Sequence, residues 1–350
     1  MGILNGFTTF VNANLTGSTL LRRIRNILLL TFVLVAEGSG QDPTFSQFYA
    51  NPLYLSPSFA GATEEYRIAM NIRDQWPGIP GPSKFNTYSF AFDKAMPNFN
   101  SGIGVLATYD VAGSGELSTT NIGLLYSYDF QINKEWHIRP GVNFKFYYLG
   151  LDIYKLIFNS QISGSGTTPP VTPPPFDKVA DVDFATSALV YNDRIWGGFT
   201  LDHLLVPKTS FYGDESKVPV KFNLYGGAQI IKKTRLRTKL KEVLSVAMNF
   251  QKQAKFYQTD IGLYYYKDPL IFGLWYRGIP FVTSQAGDAI IALVGFKTSQ
   301  FHIGYSYDFT ISNLIGSTGG AHEISLIYEF TSFSVGSQRR KIRAIPCPEF

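Results

Sequence analysis

The chain has 350 residues, 45% of them hydrophobic and 15% aromatic, but only 16% charged, against about 25% in a typical soluble domain. Its formal charge is +5 with no long basic tract, and its one cysteine is Cys347, so a disulfide scaffold is excluded and nucleic acid is a poor partner. A disordered chain and a highly charged cytosolic enzyme both fit this composition badly.

Arg22, Arg23 and Arg25 precede the apolar run Ile27–Ala36, and the small residues Gly38, Ser39 and Gly40 follow it. A basic stretch, a short apolar core and a small-residue exit describe a secretory signal peptide, preceded here by an N-terminal extension. The run is short of the roughly 20 residues that span a bilayer, which leaves a short anchor or a buried helix as the other reading. Residues 1–40 are therefore read as an export signal, and the remainder as the exported protein. Residues 41–65, rich in Phe, Tyr and Pro, read as a separate N-terminal segment that plugs a barrel or packs beneath it.

From Tyr66 onward the dominant pattern is strict alternation. Tyr88, Phe90 and Phe92 share one parity; so do Ile103, Val105, Ala107 and Tyr109, and then Ile122, Leu124, Tyr126, Tyr128 and Phe130. Val142, Phe144, Phe146 and Tyr148 continue it, as do Phe301, Ile303, Tyr305, Tyr307 and Phe309, and Ile324, Leu326, Tyr328 and Phe330. Period two means strands with one apolar face. The opposite parity carries Gly, Ser, Asn and Asp, suited to a hydrated lumen, and aromatics gather at the ends of the runs. Segments of about ten alternating residues with aromatic girdles are the mark of an antiparallel outer-membrane β-barrel, whereas strands of a soluble sandwich are shorter. The expected fold is all-β, a transmembrane barrel of about fourteen strands over residues 66–333, with a tail at 334–350. Residues 163–175, with their prolines, form a long loop, because proline has no N–H for a sheet ladder.

Several local patterns invite chemistry. Gly102-Ile-Gly104-Val-Leu-Ala107 matches a dinucleotide fingerprint, but the glycines lie inside an alternating strand and face a crowded lumen, so no cofactor is expected. His137, His203, His302 and His322 are scattered and show no metal-ligand spacing. His302 and His322 are both expected on the lumen side. His203 has Asp202 beside it, yet neighbours on a strand face opposite ways, so the pair is poor material for a catalytic dyad. The run from Lys232 to Lys241 places Arg235, Arg237, Lys239 and Lys241 at odd positions, a basic strand face. It reads as a solvated hairpin or lumen wall, or as a surface for an anionic partner such as lipid phosphate or an acidic protein.

The segment from Gln41-Asp42-Pro43 to Ala60-Gly61 resembles the opening of the PorP/SprF family of type IX secretion system membrane proteins. Arg73-Asp-Gln75-Trp76-Pro77, Gly102 and Gly104 with Asp110 and Gly113, Asp152 with Lys155-Leu156, Asp202-His203-Leu204 and the closing Ile345–Phe350 are similar to the same family. The extension before Arg22 and the proline-rich insertion depart from it. The resemblance implies a non-enzymatic outer-membrane barrel of Bacteroidota in the type IX secretion and gliding machinery. Its partners would be outer-membrane lipid, other secretion components and the C-terminal sorting domain of a large secreted adhesin, whose export or surface attachment it supports. The resemblance names no individual contact; its signature positions are Phe45, Gln47, Tyr49, Pro52, Arg73, Gln75, Trp76, Asp110, Gly113, Asp202 and His203. A passive channel for a small molecule is the rival reading.

Overall fold

The computed structural model describes residues 41–63, 65–156, 175–235, 240–278, 289–311, 316 and 318–331. Residues 1–40, read from sequence as an export signal, most of the proline-rich segment, Arg237, Lys239 and residues 334–350 with Cys347 lie outside the described residues. In chain order the strands are β1 (Tyr66–Gln75), β2 (Lys84–Met96), β3 (Ser101–Gly113), β4 (Leu117–Tyr128, resumed after Asp129 as Phe130–Gln131) and β5 (His137–Gly150). There follow β6 (Lys178–Tyr191), β7 (Ile195–Asp202), β8 (Lys221–Arg235), β9 (Leu240–Gln253) and β10 (Phe256–Lys267). The last four are β11 (Leu270–Arg277), β12 (Ala289–Lys297), β13 (Phe301–Thr310) and β14 (Ala321–Phe330).

Each strand pairs antiparallel with the next, and β1 pairs with β14 from Tyr66↔Phe330 to Gln75↔Ala321. The result is a closed antiparallel barrel of 14 strands. Closure answers a physical demand, because an open edge in hydrocarbon would leave backbone N–H and C=O groups without partners. Among the described residues no helix is long and apolar enough to cross a membrane.

Burial follows the alternation. Along β12, Ile290, Val294 and Phe296 are exposed, while Ala289, Ile291 and Leu293 are buried. The two copies of Tyr-Ser-Tyr-Asp-Phe, at 126–130 and 305–309, share one parity, with Ser127 and Ser306 buried inside and Tyr126 and Tyr305 outside. The lumen face is less uniformly polar than the alternation suggests. Leu189, Tyr191, Trp196, Tyr225, Tyr264 and Trp275 all point inward and are buried, because the lumen contains protein rather than water alone.

The two ends of the barrel differ. At one end the connections are short, spanning 97–100, 132–136, 192–194, 236–239, 268–269 and 298–300. At the other lie the longer connections at 76–83, 151–177, 203–220, 278–288 and 311–320. Three placements follow. Gly102 and Gly104 lie in β3, which continues to Gly113 with no helix after it, so the nucleotide reading has no scaffold. His322 corrects the expectation of a lumen position. It pairs with Tyr307 on the outward face and accepts from or donates to Tyr305 Oη at 2.8 Å through Nδ1, because it shares the parity of Ile324 and Leu326. Of the basic run, Arg237 and Lys239 lie outside the described residues. Arg235 ends β8 and Lys241 lies in β9, with Arg235 opposite Leu240.

Candidate functional site

Residues 41–62 carry the three short turns Phe48–Ala50, Pro52–Leu55 and Pro57–Phe59, two of them started by proline, whose missing N–H costs a first turn nothing. Phe45, Phe48, Tyr49, Leu53, Leu55 and Phe59 are buried against inward-facing strand residues. Phe48 meets Trp275 edge-on at 5.1 Å, Tyr49 meets Tyr264 at 4.3 Å, and Phe59 meets Trp196 at 6.1 Å. Burying side chains of this size stabilises by about 1.5–3 kcal/mol each. The small residues opposite them are there for space: a Cβ on Gly102 would lie 2.2 Å from Ala60 O, and one on Gly141 would lie 2.3 Å from Ser58 N.

Polar contacts hold the segment along its length, and they show its direction. At the short-turn end Arg139 Nη2 and Ser127 Oγ donate to Ala60 O at 2.6 and 2.7 Å, and Gly61 N donates to Asp93 Oδ2 at 2.7 Å. Arg67 pairs with Asp93 at 2.9 Å and donates to Phe59 O. Close by, Tyr225 Oη donates to Ser56 Oγ at 2.7 Å and Ser58 N donates to Ser187 Oγ at 3.0 Å. The other extremity of the segment reaches the long-loop end. The chain therefore runs the length of the lumen before turning back into β1.

Near the long-loop end two charged clusters receive it. In the first, Ser46 N and Gln47 N donate to the Glu323 carboxylate at 2.7 and 3.0 Å. Ser46 Oγ donates to Asp308 at 2.7 Å and accepts from Arg73 at 2.7 Å and Arg277 at 2.9 Å. Arg73 also pairs with Asp308 and Glu323, and Arg277 with Asp260 and Asp308. Gln47 donates to Ser306 and to Glu323 O, and accepts from Ser325.

The second cluster centres on His203. Its Nδ1 is 2.8 Å from Asp183 Oδ2 and its Nε2 is 2.9 Å from Asp42 Oδ2. Lys145 bridges Asp183 and Asp202, and Lys221 lies 3.3 Å from Asp42. Two ionised carboxylates can only accept, so both ring nitrogens donate and the ring is imidazolium. Burial opposes that charge, but Asp42, Asp202 and Asp183 outweigh it and push the ring up to about 9. Burial likewise opposes ionisation of Asp42, yet His203 and Lys221 hold its carboxyl well below the usual range. Ligand atoms of Asp42, Asp202 and His203 lie within 4.8 Å of one another, a spacing a metal could use. The donor set argues against one, since the imidazolium has no lone pair to give and Lys145 and Lys221 already neutralise the carboxylates.

His203 also corrects the strand argument that set it apart from Asp202. It follows the end of β7 with φ +57°, and this left-handed residue breaks the alternation, so both side chains turn into the same cluster. Of the signature positions, Gln47, Arg73, Asp202 and His203 enter the two clusters, while Phe45, Tyr49 and Pro52 pack the segment. Gln75 accepts weakly from Arg73 at 3.4 Å. Trp76, at φ +60°, packs on Phe85 and donates its backbone N–H to Gly320 O, Asp110 accepts from Thr87, and Gly113 closes β3 at φ +76°. These last three shape the long-loop rim and join neither cluster. Asp42, Lys145, Asp183, Lys221, Gln253, Arg277, Asp308 and Glu323 were not singled out from sequence, although each inward charge sits at the lumen parity of its strand.

Solved structures similar over most of the chain include a CymD monoaromatic hydrocarbon channel (11% identity, TM-score 0.43, covering 81% of this chain and 94% of that one) and a TodX monoaromatic hydrocarbon channel mutant (11%, 0.46, 81% and 94%). A Pseudomonas aeruginosa FadL homologue is similar at 12% identity and TM-score 0.43, covering 84% of this chain and 100% of that one. No curated protein matches the chain. The family model for the type IX secretion system membrane protein PorP/SprF matches residues 37–328, nearly the whole barrel together with the segment that fills it, and the chain belongs to that family.

Proposed function

We propose that this protein is a non-enzymatic outer-membrane component of the type IX secretion and gliding machinery of a Bacteroidota cell, exported by its N-terminal signal. It supports export or surface attachment of a large secreted adhesin through that adhesin's C-terminal sorting domain. Short turns face the periplasm and longer loops the outside in barrels of this kind, so the two charged clusters lie toward the cell exterior. The closed sheet anchors the protein in lipid, and the loop rim with the top of the lumen presents the partner surface.

The observation that carries this reading is the occupied lumen. With Phe48, Tyr49, Leu53 and Phe59 each no more than 4% exposed inside the barrel, the segment serves as a plug, and a partner-binding role suits a filled barrel better than passive transport does. The test is twofold. Purified protein in planar bilayers is expected to give no steady conductance, and deletion of the gene is expected to remove one large surface protein without a permeability change. Selective uptake of a small molecule into liposomes, with normal surface display in the deletion strain, would sink the proposal in favour of a channel.

A further inference from the structure

The Asp42 carboxylate sits in a cradle built by three residues from three different places in the chain. His203 Nε2 approaches at 2.9 Å, Lys221 Nζ at 3.3 Å and Gln253 Nε2 at 3.2 Å. Gln253 returns its other side-chain atom, Oε1, as the acceptor for Asp42 N at 2.9 Å. The cradle thus reads two features of one residue, a carboxylate and the N–H of its own backbone, which is the signature of an aspartate on an extended segment. His203 and Gln253 are buried and the Lys221 side chain is 10% exposed, whereas the Asp42 side chain is 21% exposed. A small cleft lined by Gln41, Gln251, Lys252 and Phe256 opens beside it.

Charge makes the cradle demand an anion. Asp42, Asp183 and Asp202 face Lys145, Lys221 and His203, three carboxylates against three cations. Withdrawal of Asp42 would leave a buried excess of positive charge, costly unless another carboxylate arrives. Apart from Asp42, the arm that carries the occupant is lightly held. Residues 41–44 have no secondary structure, and their bonds beyond the cradle are few, such as Tyr54 Oη to Pro43 O at 2.5 Å. Firm apolar burial of the segment starts only at Phe45.

We infer that the cradle of His203, Lys221 and Gln253 is a recognition site for an aspartate on an extended segment of a partner protein approaching the long-loop end, and that Asp42 is its internal occupant. The partner's aspartate displaces residues 41–44 and takes over their bonds, while the plug below Phe45 stays in place. The side of approach rests on the function proposed above; the chemistry of the cradle does not.

The test uses the full chain in detergent, with folding checked by heat-modifiable electrophoretic mobility. The probes are two acetylated heptapeptides, Gln-Asp-Pro-Thr-Phe-Ser-Gln and the same peptide with asparagine in place of aspartate. Asp42→Ala is expected to bind the aspartate probe at least tenfold more tightly than the asparagine probe, and at least tenfold more tightly than the unaltered protein does, since Asp42 no longer competes. Adding His203→Gln is expected to erase the preference. Should Asp42→Ala fail to fold, Asp42→Asn keeps the shape of the arm and serves in its place. Equal binding of the two probes, or binding of neither, overturns the inference. Surface display in the deletion strain is a separate readout, so a failure of the secretion reading leaves this result intact and distinguishable.

Discussion

His203 Nε2 lies 2.9 Å from the Asp42 carboxylate although 161 residues separate them in the chain. The contact fastens the first residues of the lumen segment to the loop after β7, and its strength depends on the protonation of one ring. That ring faces Asp42, Asp183 and Asp202, with Lys145 and Lys221 on the same carboxylates. With a folded-state value of about 9 against 6.5 for a free histidine, its stabilisation is complete below about pH 6.5 and is lost as pH rises through 9. Hydrogen exchange at residues 41–44 is therefore expected to be slow at pH 6.5 and, after correction for the intrinsic rate, markedly faster at pH 10. His203→Gln should flatten that dependence; an unchanged profile in the variant would exclude the ring as its source.

The Arg73 cluster holds two arginines and three carboxylates, Asp260, Asp308 and Glu323. Removing a cation deepens the imbalance, whereas neutralising a carboxylate relieves it. Arg73→Met is expected to destabilise by about 3–5 kcal/mol, because it strands buried negative charge. Glu323→Gln keeps an acceptor for the Ser46 and Gln47 amides and should cost about 1–2 kcal/mol. Denaturant midpoints in detergent compare the two; equal losses would show that charge balance is not what matters.

Gly102 gives the steric counterpart. Its side-chain position is filled by Ala60 O, 2.2 Å from where a Cβ would stand. Gly102→Val is expected to leave the outer wall paired but dislodge residues 59–61, costing about 1–3 kcal/mol or more. Limited proteolysis reads this directly, through new cleavage near Phe59 in a barrel that still shows folded electrophoretic mobility.

Both side-chain amide atoms of Asn51 and of Asn71, together with Ser89 Oγ, are buried and have no hydrogen-bond partner among the described residues. Groups of this kind bind ordered water in most proteins. A high-resolution experimental map is expected to show water on these atoms. Asn71→Leu should then displace that water and leave Ser89 without it, a change visible in the same map.

The wall of the barrel was legible because period-two alternation is local, and Tyr88, Phe90 and Phe92 announce an outward face without reference to any other strand. His322 was misplaced for a related reason. Parity read along Ile324 and Leu326 puts it outside, whereas an argument from its apolar neighbours alone puts it inside. The filled lumen was half legible: Phe45, Tyr49 and Pro52 marked the segment as special, but nothing local says that Trp275 and Tyr264 turn inward to meet it. The His203 cluster was illegible in principle, since it needs the closure of the barrel and one left-handed residue that no pattern foretells.

The contacts of Ser46 also bear on how the barrel is assembled. Its backbone N–H reaches Glu323 on β14, while its hydroxyl accepts from Arg73 on β1. β1 and β14 are the first and last strands, and their pairing closes the barrel across 250 residues from Arg73 to Glu323. The segment in the lumen is thus also a staple across the seam, so that closing the wall and filling the interior share the same bonds. A nascent chain that lacks β14 has no acceptor for the Ser46 and Gln47 amides and no mate for the free edge of β1. An unfilled barrel would therefore also be one whose seam has lost these bonds.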